Sequence, residues 1–230
     1  MKLTPAEHAR INAAIAEAEA RTSGEIFCIL AREVSDYRET PLVWAAAAAF
    51  LLPLLLIPMG FEAAWFDWVP FFGGWTAGHA GGQDYATTAA LAAFAAVQAL
   101  TFLAAALVVS LPGLRRALTP RALKRERVHK AALEQFLAKG LHVTAGRTGV
   151  LIFASVGDHI AEVIADEGIY AKVDAGVWRE AIERLTGGLR AGKPADGFVA
   201  AIELCGAVLA EHFPPGSRNP NEIPDTLVEI

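Results

Sequence analysis

Cysteine is scarce in this 230-residue chain, with Cys28 and Cys205 as its two thiols. Neither belongs to a Cys-x-x-Cys pair or stands at metal-ligand spacing from a histidine, which excludes zinc-finger and dithiol redox chemistry. Each lies inside an apolar pattern, so both are expected as small buried residues and not as disulfide partners. An excess of positive charge is missing too. Lys and Arg number 20 against 25 Asp and Glu, for a net charge of −5. With no dominant basic face, nucleic acid is not an expected partner. The first residues, Met1-Lys2-Leu3-Thr4-Pro5, lack the apolar core of a signal peptide, and no lipidation motif is visible. No P-loop and no Ser/His/Asp order appear.

Charge is absent altogether from two long stretches, Leu42 to Phe61 and Tyr85 to Leu114. About 20 apolar residues cross a ~30 Å hydrocarbon layer as a helix, so both read as membrane spans, over about 42–61 and 85–112. Arg115, Arg116, Arg121, Lys124, Arg125, Arg127 and Lys130 follow the second span, and Arg32 and Arg38 precede the first. The connector from Glu62 to Asp84 has no Lys or Arg. This asymmetry predicts an integral inner-membrane protein with two spans and both termini in the cytoplasm. Trp65, Phe66, Trp68, Phe71, Phe72 and Trp75 in the connector suit an interfacial aromatic belt, with a ligand loop as the other reading. His79 and Asp84 could touch a metal but lack a third ligand. Pro53 and Pro58 predict kinks. The spans carry no ionisable side chain, and Gln98 is the one strongly polar group deep in either, which favours an anchor over a transport path. The basic run after the second span could also attract anionic lipid.

The polar segments on either side read as one domain, with the hairpin inserted. The expected division is 1–38 and 116–230 for that domain and 39–115 for the hairpin. Thr4-Pro5-Ala6-Glu7 combines an N-cap, a helix-starting proline and a capping-box Glu, followed by Ile11, Ala14, Ile15 and Ala18 at helical spacing. Glu25 to Ala31 reads as a strand buried on both faces. Thr119-Pro120 predicts a second helix start, with an end at Gly140. Gly149 to Ala154 and Ile160 to Ala165 read as strands of a hairpin around Val156-Gly157-Asp158-His159. Helices are expected over roughly Ala175 to Leu189 and Asp196 to Phe213, with Asp196 as a cap. In the tail, Leu227, Val228 and Ile230 are able to dock. The first two strands, joined by a helix-containing crossover, should be parallel. The expected fold is a three-layer α/β/α sandwich with a mixed sheet.

Residues 140–153, Gly-Leu-His-Val-Thr-Ala-Gly-Arg-Thr-Gly-Val-Leu-Ile-Phe, resemble a membrane-bound bacterial branch of the TPM domain family. Ala165-Asp166-Glu167-Gly168-Ile169, Asp196-Gly197-Phe198 and Asn221-Glu222-Ile223-Pro224-Asp225 fit the same branch. The resemblance covers residues 4–36 and 119–230. It implies an α/β/α sandwich in a family where some members are acid phosphatases and some bind calcium. In soluble members an acidic Asp-Asn or Asn-Asp pair precedes the Gly-Val-Leu strand; here Arg147-Thr148 stands in that place.

Topology should gather Glu25, Arg147, Thr148, Asp166 and Glu167 at one sheet edge. Arg147 could hold a phosphate or carboxylate by its planar fork, and Asp166 could serve as ligand, nucleophile or base. Asp166, Glu167 and Glu25 are the candidate ligands for calcium or magnesium. The alternative is an Arg147–Asp166 or Arg147–Glu25 ion pair that fixes the hairpin. His142 and His159 are candidates for proton transfer or plain structure. Asp158 and Asp174 read as turn or helix-start residues, and Asn221, Glu222 and Asp225 lack calcium-loop spacing. The expected function is a membrane-anchored interaction or regulatory module on the cytoplasmic face. Its partners would be the bilayer and another membrane or cytoplasmic protein. The alternative is a phosphatase-like hydrolase or divalent-metal-binding domain using the Arg147/Asp166 edge.

Overall fold

A computed structural model describes residues 2–56, 58, 82–144, 146–215 and 221–230, of 82–90 the backbone alone. The chain divides into two compact units, Met1–Asp36 with Pro120–Ile230, and Tyr37–Thr119.

The first unit is mixed α/β. Its helices are α1 (Pro5–Glu19), α5 (Arg121–Ala138), α6 (Glu167–Tyr170), α7 (Ala175–Arg190) and α8 (Pro194–His212). Its strands are β1 (Glu25–Ala31), β2 (Gly149–Ser155), β3 (Ile160–Ala165) and β4 (Leu227–Glu229), in the order β3-β2-β1-β4. β1 runs parallel to β2 and to β4, while β2 and β3 are antiparallel. The central strands β1 and β2 are buried at every position, as their unbroken apolar runs require.

Alternation along these strands splits the core in two. Ile26, Cys28, Leu30, Val150, Ile152 and Ala154 join Ile11 and Ile15 of α1, Leu185 of α7 and Phe198 of α8. Phe27, Ile29, Ala31, Leu151 and Phe153 join Val128, Ala132 and Phe136 of α5. Burying each of the large side chains contributes ~1.5–3 kcal/mol, so both clusters outweigh any single surface pair.

Local signals explain the element ends. Thr4 Oγ1 accepts the Glu7 N–H at 3.3 Å and Glu7 Oε2 accepts the Thr4 N–H at 2.7 Å, completing the capping box of α1. Asp174 caps α7 by accepting the Gly176 N–H at 2.7 Å. Gly140, at φ 72°, takes the left-handed turn that follows α5.

Several expectations need correction. Thr119 does not cap α5: it ends the preceding short helix, and its hydroxyl donates back to the Arg115 carbonyl at 2.8 Å. Pro120 is the N-cap and supplies no side-chain bond. Asp196 lies inside the first turn of α8, not ahead of it, and pairs with Arg10 at 2.7 Å. The tail does more than dock, since Leu227–Glu229 adds a fourth strand beside β1. The short helices Glu167–Tyr170 and Pro112–Leu118 are additional to those read from the sequence.

The second unit holds α2 (Glu39–Leu56), α3 (Gly82–Val109) and α4 (Pro112–Leu118), with α2 and α3 packed together. Two stretches, Glu39–Leu56 and Leu91–Val109, are long and apolar enough to cross a membrane. Only 28% and 11% of these stretches is buried, and Leu51, Leu54, Leu55, Leu100, Leu103 and Leu107 point outward. Pro53 lies within α2 and Pro58 beyond its end. The aromatic connector and His79 lie outside the described residues, as does the side chain of Asp84.

Candidate functional site

Strand register brings the predicted residues to one end of the sheet. Glu25 stands opposite Gly149 at the start of the parallel pair, and Ala165 stands opposite Val150 where β3 finishes. Arg147 and Thr148 enter β2, and Asp166 and Glu167 leave β3, at that same end.

Arg147 Nε lies 3.8 Å from Asp166 Oδ2, and Arg147 Nη1 lies 3.8 Å from Glu167 Oε2. Both separations are ion pairs too long for hydrogen bonds. The two partners differ sharply in burial: the Arg147 side chain is 62% exposed and that of Asp166 only 5%. Asp166 Oδ1 accepts the Glu167 N–H at 2.6 Å and thereby caps α6. Its other oxygen, Oδ2, is buried without a hydrogen-bond partner. Arg147 reaches it from a left-handed backbone at φ 50°. Thr148 is structural, with Oγ1 donating to the Ser23 carbonyl at 3.0 Å and its own carbonyl accepting the Glu25 N–H at 3.1 Å.

Glu25 reaches this end but not this cluster. Its carboxylate accepts the N–H groups of Glu222 at 3.4 Å and Ile223 at 3.3 Å, tying the C-terminal tail to β1. Burial raises its pKa, partly offset by those two amides. Among the described residues Arg147 pairs with Asp166 and Glu167, not with Glu25.

The three proposed metal ligands therefore do not converge. Asp166 and Glu167 share a cation, while Glu25 turns to the tail. No group of three His, Cys, Asp or Glu side chains among the described residues could hold a metal ion. Calcium needs 6–8 oxygens around one point, and this donor set does not supply them.

A residue that sequence reasoning overlooked sits beside Glu25. Glu19, the last residue of α1, is buried and accepts the Ile26 N–H at 2.7 Å through Oε1. Desolvation, with a hydrogen bond to Asp225, pushes its pKa up to about 9, so it is protonated at neutral pH. Asp225 in turn accepts from Asn221 Nδ2. The signal was present: Glu19 continues the stripe of Ile11, Ile15 and Ala18, the apolar face of α1.

The remaining candidates are scattered. His142 lies in the 3-10 turn Leu141–Val143, with Nδ1 buried and lacking a hydrogen-bond partner. His159 occupies the β2–β3 turn at φ 51°, and Asp158 Oδ2 accepts from Ser155 Oγ at 3.2 Å. Both residues of that turn lie at the other end of the sheet from Arg147.

The chain matches no family model and no curated protein sequence. Among solved structures it is similar to the NMR structure of the BA42 protein from the psychrophilic bacterium Bizionia argentinensis sp. nov.. The TM-score is 0.56 at 19% identity, over 100% of this chain and 96% of that one. At that identity the likeness concerns the fold alone.

Proposed function

We propose that this protein is a membrane-anchored member of the TPM domain family. In this reading a three-layer α/β/α sandwich faces the cytoplasm on an inserted two-helix hairpin of the inner membrane and acts as an interaction or regulatory module. The observation that carries the reading is the outward apolar surface of α2 and α3, which exposes Leu and Phe side chains along both helices. A contiguous surface of that kind needs a cover, and lipid supplies it. A reporter active only outside the cytoplasm, fused after Ile230, should stay silent; a strong signal would overturn the orientation.

A second reading, a phosphatase-like hydrolase, is favoured by the buried Oδ2 of Asp166, which has no hydrogen bond and faces the exposed guanidinium of Arg147. In it Arg147 would grip a phosphate and Asp166 would act as nucleophile or base. The test is turnover of a generic phosphomonoester, with and without Ca²⁺ or Mg²⁺, beside Asp166→Ala. Rates at the blank level for both proteins would remove the hydrolase. Turnover lost in the variant would remove the pure module.

A further inference from the structure

At the sheet end away from Arg147, β2 finishes at Ser155 and β3 begins at Ile160. Here the start of α5, the end of α7 and the β2–β3 turn border a half-open cavity of about 320 Å³. Arg121, Lys124, Arg125, His159 and Arg190 line it, together with Asp158 and Ile160. A neighbouring cavity of about 510 Å³ shares Arg125, His159, Ile160 and Arg190. Either volume suits a small ligand.

The charge of the smaller cavity is one-sided. Four permanent cations meet one acid, Asp158, which also accepts a hydrogen bond from Ser155. Arg121, Lys124, Arg125 and Arg190 have no ion pair or side-chain hydrogen bond among the described residues. Elsewhere in the same unit, arginines find carboxylates: Arg10 with Asp196 at 2.7 Å and Arg184 with Glu180 at 2.6 Å. Like charges gathered at one cavity, in excess over its single acid, raise the local concentration of anions there.

The helix geometry adds to this. Arg121, Lys124 and Arg125 crowd the start of α5, the positive end of its dipole, where cations are disfavoured. That first turn has no acidic residue, and its N-cap, Pro120, offers no side-chain acceptor. Arginine forks match phosphate oxygens in a bidentate manner, with lysine adding a point charge.

We propose that this cavity binds a phosphate-bearing anion, held by Arg121, Lys124, Arg125 and Arg190. The chemistry fits a soluble phosphate ester and the headgroup of an anionic phospholipid alike. Arg121 follows the hairpin unit by two residues in the chain, which tethers the site close in sequence to the apolar helices. The proposal is independent of the Arg147–Asp166 reading, since the two places lie at opposite ends of the strands.

The experiment uses the detergent-solubilised full chain. One arm titrates inorganic phosphate and glycerol 3-phosphate by calorimetry. The other dopes the micelles with phosphatidylglycerol or phosphatidylcholine and follows thermal stability and retained lipid. Arg125→Gln/Arg190→Gln is compared with Arg179→Gln, an exposed cation elsewhere on α7. The expected result is binding in at least one arm, weakened tenfold or more by the double variant and unchanged by Arg179→Gln. Binding in the first arm assigns a soluble ester, and a phosphatidylglycerol preference without it assigns the lipid headgroup. Absence of binding in both arms, or equal weakening by Arg179→Gln, would overturn the site. Circular dichroism melts of the variants separate a lost site from a lost fold.

Discussion

The Arg147 guanidinium stands 3.8 Å from a buried oxygen of Asp166 while itself staying largely in solvent. An exposed cation gains little from such a pair, because solvent screens it; ~0–1 kcal/mol is the usual range. The cap that the other Asp166 oxygen provides to Glu167 is worth more. Asp166→Ala should destabilise the fold by ~1 kcal/mol, and Arg147→Gln by less. Thermal unfolding of both variants checks the order. A larger loss for Arg147→Gln would mean that the ion pair, and not the cap, holds this corner.

Glu19 predicts a pH dependence. Folded, its carboxyl keeps the proton up to about pH 9; unfolded, it releases it near 4.5. Folding therefore takes up a proton between these values. The stability from this group is complete below about 4.5 and falls as pH rises toward 9. Glu25, whose pKa is also raised, acts in the same direction. In Glu19→Gln the amide can keep both hydrogen bonds without ionising. The melting temperature of the wild type should drop from pH 5 to pH 9 more steeply than that of the variant. Parallel slopes would contradict the assignment.

Gly149 opens β2 where a Cβ would fall on the buried Leu141 carbonyl. Gly149→Ala should cost ~1–3 kcal/mol through this overlap. Gly187, in α7, has nothing within 4 Å of the same position. Gly187→Ala should instead stabilise by ~0.5–1 kcal/mol through the lower entropy of the unfolded chain. Denaturant titration of the pair tests whether close approach, not glycine itself, makes the difference.

The two thiols should be inert in the folded chain. Both are fully buried, which pushes Cys205 up to about 12 and Cys28 well above its usual range. Alkylation at pH 8 should run roughly a hundredfold slower than for a free thiol, and should reach both residues after denaturation. Fast labelling of the native protein would mean that one core cluster opens readily.

Much of the first unit was legible along the chain. β1 and β3 have the expected bounds, β2 is longer by one residue, and the β1–β2 pair is parallel as the crossover requires. β4 was not legible as a strand because three residues carry too little periodicity to register. Thr119 misled for another reason: Thr-Pro reads as a cap, but the short helix before it claims the hydroxyl. Of the candidate site, the shared sheet end followed from strand order, and Arg147, Asp166 and Glu167 do meet there. The direction of the Glu25 side chain did not follow, since it depends on the tail amides of Glu222 and Ile223, nearly two hundred residues away in sequence.

Hydrophobic periodicity and capping residues are local properties, so the sequence by itself determined the principal helices, three strands and two uncharged helical runs. Distances between side chains on different elements are not local. Only tertiary packing could bury Glu19 beside Asp225, turn Glu25 away from Arg147, and gather Arg121, Lys124, Arg125 and Arg190 around one cavity. Each of these depends on how helices settle on the sheet, and that is where charges become buried, paired or left facing one another.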